Sequence, residues 1–318
     1  MQREPEVRVE RGSYTPRDRL QEGRFNLVLN LRAVVPKDSY LFVGGLAEVV
    51  EDMYTELWRK IEELLGRGAV DQGSIEKEIL PIFDRARRGR RGGSTGFLSY
   101  DGKFAIPGSS LKGTIRSRVE YKLRPLPFGN ALKSYSCYIS QNPRGASAST
   151  NHAKFWGSDV IYSRRTCQPP NVCVTCDLFG APSLSSRVLF SDAIMEKGRV
   201  EEVKELGREA ALPGSEFRCQ VYLVNADLVD LGLILAGTEV LTDKRMIIGA
   251  FKYRYNPKFG TKLRGIFYAG LLKFELDSYE IIAGKQPRIG GKDELIRKAG
   301  ESLVQRFGDH IDIERGAV

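Results

Sequence analysis

The stretch IPGSSLKGTIRSRVEYKL, residues 106–123, decides how the chain folds. Its first residues are strand-like, Pro107 and Gly108 turn the chain, and two serines precede a basic helical segment. Serines at a helix start accept hydrogen bonds from free backbone N–H groups, and the positive helix end suits an anion. The stretch therefore predicts a strand–turn–helix unit that can hold phosphate, although an ordinary helix with a solvated basic face shares this pattern.

Basic residues and a glycine within this helix favour a nucleic-acid ligand. Lys112, Arg116 and Arg118 add positive charge to the segment. Gly113 is a poor helix former in the first turn, and its expected benefit is the close approach of something large, such as a nucleic-acid backbone.

The composition of the whole chain fits a globular protein with a polyanionic partner. Of 318 residues, 42% are hydrophobic and 28% are charged, and 49 basic residues against 40 acidic ones give a net charge of +9. No apolar run approaches the length of a membrane span, and the first residues lack an apolar signal core. We therefore expect a cytoplasmic protein with no membrane partner.

Hydrophobic periodicity places regular elements on both sides of the central stretch. Alternating apolar residues predict strands, and apolar residues at helical spacing predict helices. The predicted strands span residues 26–35, 104–107, 187–190, 217–224 and 267–276. The predicted helices span residues 46–65, 110–123 and 292–307, with another helix opening at Asp227.

The order of these elements predicts an α+β fold, a ferredoxin-like or RNA-recognition-motif sandwich with large insertions. Residues 1–25 are expected to form a polar N-terminal arm, and residues 26–318 a single domain. The insertions are expected at about 46–100, a helix and a basic loop, at 124–186, and at 193–212, a charged, exposed excursion.

Four of the five cysteines lie within forty residues of each other and point to a metal site. Cys173 and Cys176 form a C-x2-C pair, whose thiolates can converge on one zinc ion. We expect His152 and Cys167 to complete the set, with Cys137 as the alternative for either upstream place. Such a zinc ion would be structural, while free thiols or a redox pair are the alternatives.

Cationic and aromatic residues alternate in FKYRYNPKFGTKLRGIFY, residues 251–268. Cations can follow a phosphate backbone while aromatic rings stack on bases, so the segment is a candidate nucleic-acid contact. A β-hairpin with one buried aromatic face and one solvated basic face would give the same pattern.

Three motifs occur in one order: IPGSSLKGTIRSR at 106–118, CDLFG at 176–180 followed by VLFSDA at 188–193, and GTKLRGIFYAGLLKF at 260–274. This order resembles the RAMP superfamily of CRISPR-associated proteins, and most of all the backbone subunits of type III effector complexes. The likeness covers roughly residues 26–276.

The resemblance implies a subunit that stacks with neighbouring subunits along guide RNA (crRNA) in antiviral defence and pairs it with target RNA. It implies a modified RNA-recognition fold, a thumb at 193–212 and, as in some members, a zinc-binding insertion. The residues at positions that hold the guide backbone in the family are Ser109, Ser110, Lys112, Arg116, Lys262 and Arg264.

Some backbone subunits cut target RNA with one aspartate in the loop before the basic helix. A carboxylate there could position Mg²⁺ or Mn²⁺ for attack by a 2′-hydroxyl. The candidates in this chain are Asp101 and Asp84. The glycine pair that usually precedes the aspartate is followed here by Ser94 and Thr95. Binding without cleavage is therefore the first hypothesis, and a target-cleaving endoribonuclease is the alternative.

Two further hypotheses fit the sequence less well. A stand-alone guide-processing nuclease would use histidine as acid or base, but the chain has only His152 and His310. A zinc-stabilised basic adaptor would dock on protein partners through the amphipathic helix at 46–65, a helix that is better explained by packing on the body of the protein.

Overall fold

A computed structural model gives the architecture of most of the chain. The residues that it describes are 7–43, 47–68, 71–82, 96–100, 102–137, 155–156, 167–204, 208–249, 252–256, 267–285, 287 and 289–318. Within these ranges, no helix combines the length and the apolar character needed to cross a membrane.

Helices and strands are interleaved along the described residues. The helices are α1 (Ala47–Gly66), α2 (Gln72–Ser74, followed by the π-helical turn Ile75–Ile79), α3 (Gly108–Lys122), α4 (Val174–Phe179), α5 (Leu228–Gly237) and α6 (Lys292–Phe307). The strands are β1 (Val7–Val9), β2 (Gly12–Ser13), β3 (Phe25–Val34), β4 (Ser39–Tyr40), β5 (Ser99–Tyr100), β6 (Lys103–Ile106), β7 (Leu126–Phe128), β8 (Ala131–Ser134), β9 (Asn171–Val172), β10 (Val188–Phe190), β11 (Ala193–Lys197), β12 (Val200–Val203), β13 (Arg208–Ala211), β14 (Glu216–Ala226), β15 (Met246–Ile247), β16 (Tyr268–Ala269) and β17 (Leu271–Gly284).

The main sheet is antiparallel and runs in the order β15-β17-β3-β14-β11-β6-β5, with β10 also paired to β14. Along the chain, the central strands and the helices between them occur in the order β3, α3, β11, β14, α5 and β17. Within the sheet, β17 and β14 lie on either side of β3. This topology is mixed α+β and is compatible with the predicted ferredoxin-like fold.

Side-chain alternation gives the sheet one apolar and one polar face. Leu27, Leu29 and Leu31 of β3 are buried and belong to the main hydrophobic core with residues of α3, α5 and α6. On the opposite face, the Asn30 amide donates to Ser278 Oγ at 2.9 Å and accepts from the Gln220 amide at 2.9 Å. The strand predicted at 26–35 is thus confirmed, because period-2 alternation separates core from solvent.

Helix α5 begins where the sequence predicted. The Asp227 carboxylate accepts from the Val229 and Asp230 N–H groups, and the Asp230 side chain accepts from the Asp227 N–H, which is a capping box. At its other end, a Cβ on Gly237 would lie 2.7 Å from Ile115 Cγ2 of α3. Gly237 therefore allows α5 to pack closely on α3.

The prediction that residues 193–212 form an exposed excursion is wrong near both ends of the segment, because Ala193 and Ala211 are buried. Strand β11 lies inside the sheet, where it pairs with both β14 and β6. The β12–β13 hairpin that follows returns to the body, and its residues Val203, Ala210 and Ala211 are buried. Described charged residues such as Glu196, Lys197, Glu201 and Glu202 are exposed, and the charged composition therefore suggested an exposed segment.

The predicted N-terminal arm is attached to the cysteine-rich insertion. Strand β1 pairs in parallel with β8. Further along the arm, Thr15 donates to the Asp177 carboxylate through its N–H (2.9 Å) and its Oγ1 (2.8 Å), and Arg17 Nη1 also contacts this carboxylate at 2.8 Å. Asp177 follows Cys176 in α4, so the arm reinforces the part of the chain that carries the cysteines.

Candidate metal centre and nucleic-acid interface

Four buried cysteines converge beside α4. Cys173 is the N-cap residue of α4 and Cys176 lies in its first turn, while Cys137 follows β8 and Cys167 precedes β9. Their Sγ atoms all lie within 4.8 Å of one another. Cys137 Sγ lies 3.2 Å from Cys176 Sγ and 3.6 Å from Cys173 Sγ, too far apart for a disulfide.

The geometry of the cluster fits a tetrahedral metal ion. Four sulfurs at a Zn–S distance of about 2.3 Å lie about 3.8 Å from each other, close to the observed separations. Backbone N–H groups also point at the sulfurs, as Cys173 N–H donates to Cys167 Sγ (3.3 Å) and Cys137 N–H to Cys173 Sγ (3.4 Å). Such donors stabilise sulfur in its thiolate form.

Two arginines bring positive charge to the cluster. Arg11 Nε donates to Cys167 Sγ at 3.4 Å, and Arg116 Nη2 donates to Cys176 Sγ at 3.5 Å. A divalent ion with four thiolates carries a net charge of −2, which these two guanidinium groups balance. The residues present therefore fit a metal centre of the closed, structural kind, with four protein ligands and no free position.

Without a metal ion the four thiols cannot all ionise together. Hydrogen bonds from Cys137 and its neighbours lower the pKa of Cys167, while the bonds to Cys167 and Cys173 raise the pKa of Cys137. A cation at the centre removes this conflict, because it interacts favourably with every thiolate at once.

The cluster contains Cys137, the alternative ligand, together with Cys167, Cys173 and Cys176. His152 lies outside the described residues. Because four thiolates complete a tetrahedral sphere, this set needs no further ligand. Spacing could not decide between Cys137 and His152, since a long segment separates both from the C-x2-C pair.

The first turn of α3 differs from the open phosphate site that the sequence predicted. The Gly108 N–H donates to Asp192 Oδ1 at 2.7 Å, and the Ser110 and Leu111 N–H groups bond to the Pro107 carbonyl. A Cβ on Gly108 would lie 2.3 Å from the Phe190 carbonyl oxygen, so this glycine is required for close packing. The carboxylate of Asp192 thus occupies the place at the helix end that a phosphate would take.

The side chains of α3 instead line a groove with a volume of about 620 Å³. The residues that the helix contributes are Ser109, Ser110, Gly113, Thr114, Ser117, Arg118 and Tyr121. The opposite wall includes Ile247 and Gly249 at and after β15 and Lys252 in the turn that follows. Ser109 and Ser110 are exposed, and nothing lies within 4 Å of the Cβ position of Gly113. Hydroxyls and bare backbone therefore face an open space.

Arg116 lies on another face of α3. Its guanidinium bonds to Glu120 Oε1 at 2.9 Å and to the Gly180 carbonyl at 3.0 Å, besides the contact with Cys176. Lys112 is one turn before it, and burial together with the charge of Arg116 lowers the pKa of Lys112. Arg116 is thus engaged by the insertion, while Lys112 is half-buried beside it.

Arg118 is buried rather than part of a solvated basic face. Together with Lys122 it contacts Glu239, whose Oε1 lies 2.9 Å from Lys122 Nζ, and Thr242 Oγ1 donates to Glu239 Oε2 at 2.9 Å. Burial lowers the pKa of Lys122 to about 8. The helical spacing of Arg118 and Lys122 was a signal for a shared partner, but nothing in the sequence pointed to Glu239.

Several predicted site residues lie outside the described part of the chain. They are Asp84, Asp101, His152, Lys262 and Arg264. Of the aromatic–basic segment, residues 252–256, 267 and 268 are described. Residues 252–256 form a turn on the groove wall, with Tyr255 buried against Tyr40 and Ala269, and Tyr268 lies in β16. His310, after α6, contacts the Arg124 carbonyl at 3.1 Å and the edge of the Tyr135 ring.

A family model matches a large part of the chain. The model described as the RAMP superfamily matches residues 91–311, more than half of the chain. This span contains α3 and all four clustered cysteines. It also contains every residue of the groove lining except Phe42 and Val43. No curated protein matches the chain.

Proposed function

The chain belongs to the RAMP superfamily, and we propose that it is a guide-RNA-binding backbone subunit of a type III CRISPR effector complex. Membership implies a CRISPR-associated protein that binds RNA. The finer assignment to a type III complex, with crRNA, target RNA and neighbouring backbone subunits as partners, rests on the motif order along the sequence.

The groove along α3 is the observation that carries this proposal. Ser109, Ser110 and Ser117 present hydroxyls that can donate to phosphate oxygens and to the ribose 2′-hydroxyl. Gly113 leaves the helix backbone uncovered at the middle of the row. A flexible single strand could therefore lie along the helix with its sugar–phosphate backbone in contact.

Lys112 lies beside Arg116, outside the lining of the groove, and its charge adds to the positive field around the groove. It follows the serines, and its pKa is lowered by burial and by Arg116. Among the described residues, no carboxylate contributes to this shift. Two neighbouring cations on this helix attract a polyanion towards it without contacting the strand in the groove.

We propose zinc as the metal of the cysteine cluster. Four thiolates are a typical structural zinc set, and the ion would hold the insertion in place without activating water. When bound, it supplies positive charge that lets the four cysteines ionise together. Its role is then to support the fold next to α3.

The test of RNA binding introduces a negative charge into the groove. Ser110→Glu places a carboxylate among the hydroxyls and is expected to weaken single-stranded RNA binding at 50 mM salt by more than roughly tenfold. Ser185→Glu, at an exposed serine outside the groove lining, is the matched control. Equal affinity of the two variants, or no RNA binding by the wild-type protein at low salt, would contradict the proposal.

Cleavage of target RNA is the alternative, and it depends on Asp101 and Asp84. These residues lie outside the described ranges, so cleavage stays a prediction. Asp84→Ala and Asp101→Ala, each assayed with guide, target RNA and Mg²⁺ or Mn²⁺, test it. Loss of cutting in one variant would make that aspartate a catalytic residue, whereas a wild-type complex that binds and does not cut would exclude cleavage.

A further inference from the structure

The inner end of the groove carries a group of cations that are not among the residues expected to hold the guide backbone. Arg118 lines it from α3 and Lys252 lines it from the turn at 252–256. The Trp156 ring lies beneath, with the Arg118 guanidinium 5.3 Å from its centroid. Trp156 Nε1 donates to Tyr253 Oη at 2.9 Å, which joins the aromatic floor to the turn carrying Lys252.

Arg118 is almost completely buried, and one of its nitrogens has no partner. Its Nε donates to the Gly237 carbonyl at 3.1 Å, and its Nη2 contacts Glu239 and the Gly316 carbonyl. Its Nη1 has no hydrogen-bond partner among the described residues. An unsatisfied donor of a buried, charged group costs free energy, and an anion held near this guanidinium would offset part of that cost.

Positive charge exceeds negative charge around this point. Arg118 and Lys122 share the single carboxylate of Glu239. Lys252 adds a third cation, and its pKa is lowered by burial and by the charge of Arg118. Among the described residues, no carboxylate forms an ion pair with Lys252. Within the described part of the chain, the inner end therefore carries more positive than negative charge and is partly desolvated, which favours an anion.

We propose that this inner end holds one backbone phosphate of the bound RNA, between Lys252 and Arg118. The proposal rests on the proposed function, because it places a phosphate of the same strand whose sugars follow the serines of α3. A phosphodiester supplies the missing negative charge and offers acceptor oxygens to the Lys252 ammonium and towards the Arg118 guanidinium. It also gives the strand a fixed position, since this phosphate enters deeper than its neighbours.

The charge-neutral variant Lys252→Gln tests the site. For single-stranded RNA, loss of one phosphate contact is expected to reduce the slope of log affinity against log salt concentration by about 0.7. Affinity near 50 mM salt is expected to fall by roughly three- to tenfold. Lys197→Gln is the matched control, because it removes the same charge from a lysine that is exposed on β11 and lies outside the groove lining.

A second measurement does not depend on the folding of a variant. Acetylation of lysines in the wild-type protein, followed by mass spectrometry, is expected to show Lys252 protected by RNA and Lys197 unprotected. Wild-type RNA binding with an unchanged slope in Lys252→Gln, or equal acetylation of Lys252 with and without RNA, would overturn this site alone. A wild-type protein that does not bind RNA at low salt would overturn the proposed function and the phosphate site with it.

Discussion

Two faces of helix α3 carry polar residues with different roles. On the groove face, Ser110 is exposed and the space next to Gly113 is open. On the insertion face, Arg116 bonds to Glu120, to Gly180 and to Cys176. The sequence IPGSSLKGTIRSR reads as one basic motif, but the structure divides it into residues free to hold a ligand and residues that hold the fold.

This division follows from where the insertion packs. The cysteine cluster lies next to the insertion face and needs positive charge, which Arg116 supplies at 3.5 Å from Cys176 Sγ. A guanidinium that is half-buried and bonded to three acceptors has few donors left for RNA. The comparison predicts that changes on the insertion face act on stability and metal content, and changes on the groove face act on RNA affinity.

The largest effect is expected from the metal ligands. Cys176→Ser should remove bound zinc and lower the free energy of unfolding by several kcal/mol, since structural zinc contributes directly to folding. Cys219→Ser is the control, because Cys219 is buried in the main core, away from the cluster. Zinc content by elemental analysis and chemical denaturation measure both variants. Equal zinc content in the two would contradict the metal site.

The buried cations under the groove are expected to make the free energy of unfolding depend on pH. The pKa of Lys122 is about 8 in the folded protein and near 10.5 when unfolded, so the unfolded state binds more protons between these values. Stability should therefore rise with pH across this window, by up to about 3 kcal/mol from this group. The gap in unfolding free energy between wild type and Lys122→Met isolates the contribution, because other titrating groups are common to both. A gap that does not change between pH 8 and pH 10.5 would refute it.

An intermediate effect is expected on the insertion face. Arg116→Gln should lower the free energy of unfolding by about 1.5–3 kcal/mol, the range for hydrogen bonds to charged groups. Its effect on RNA affinity should be small beside that of Ser110→Glu. Denaturation and RNA titration of both variants break or sharpen the comparison, and a stable Arg116→Gln protein with strongly reduced RNA affinity would reverse the assignment of the two faces.

The smallest change in stability is expected from Gly113→Ala, which should stabilise the protein and weaken its RNA binding. Gly113→Ala places a methyl group in open space and is expected to stabilise α3 by up to about 1 kcal/mol. The same methyl group narrows the groove and should weaken RNA binding.

The matched control is Gly300→Ala in α6, where the Cβ would lie 3.5 Å from Leu241 Cδ2, an ordinary contact. It should stabilise the protein similarly and leave RNA binding unchanged. Equal RNA affinity of the two variants would show that the ligand does not approach Gly113.

The sequence predicted most of the main sheet and its helices because their signals are local. The alternation of leucines in β3 and the capping residue Asp227 identify a strand and a helix start without knowledge of the rest. Strand β11 was missed because its charged residues hid a short strand that is fixed by pairing with β14 and β6.

The candidate site was predicted less well because its partners come from distant parts of the chain. The serines and the C-x2-C pair could be recognised locally. The capping of α3 by Asp192 and the burial of Arg118 on Glu239 depend on tertiary contacts across 84 and 121 residues. Cys137 could be named as a candidate, but only the fold brings it to the other three cysteines.

The most direct test of the central claim asks which face of α3 the RNA touches. A photoreactive side chain is placed at Ser110 in the groove and, in a second protein, at Ser185 outside it, and each is irradiated with bound single-stranded RNA. We predict a covalent RNA adduct from position 110 and none from position 185. An adduct from position 185 with none from position 110 would contradict the account.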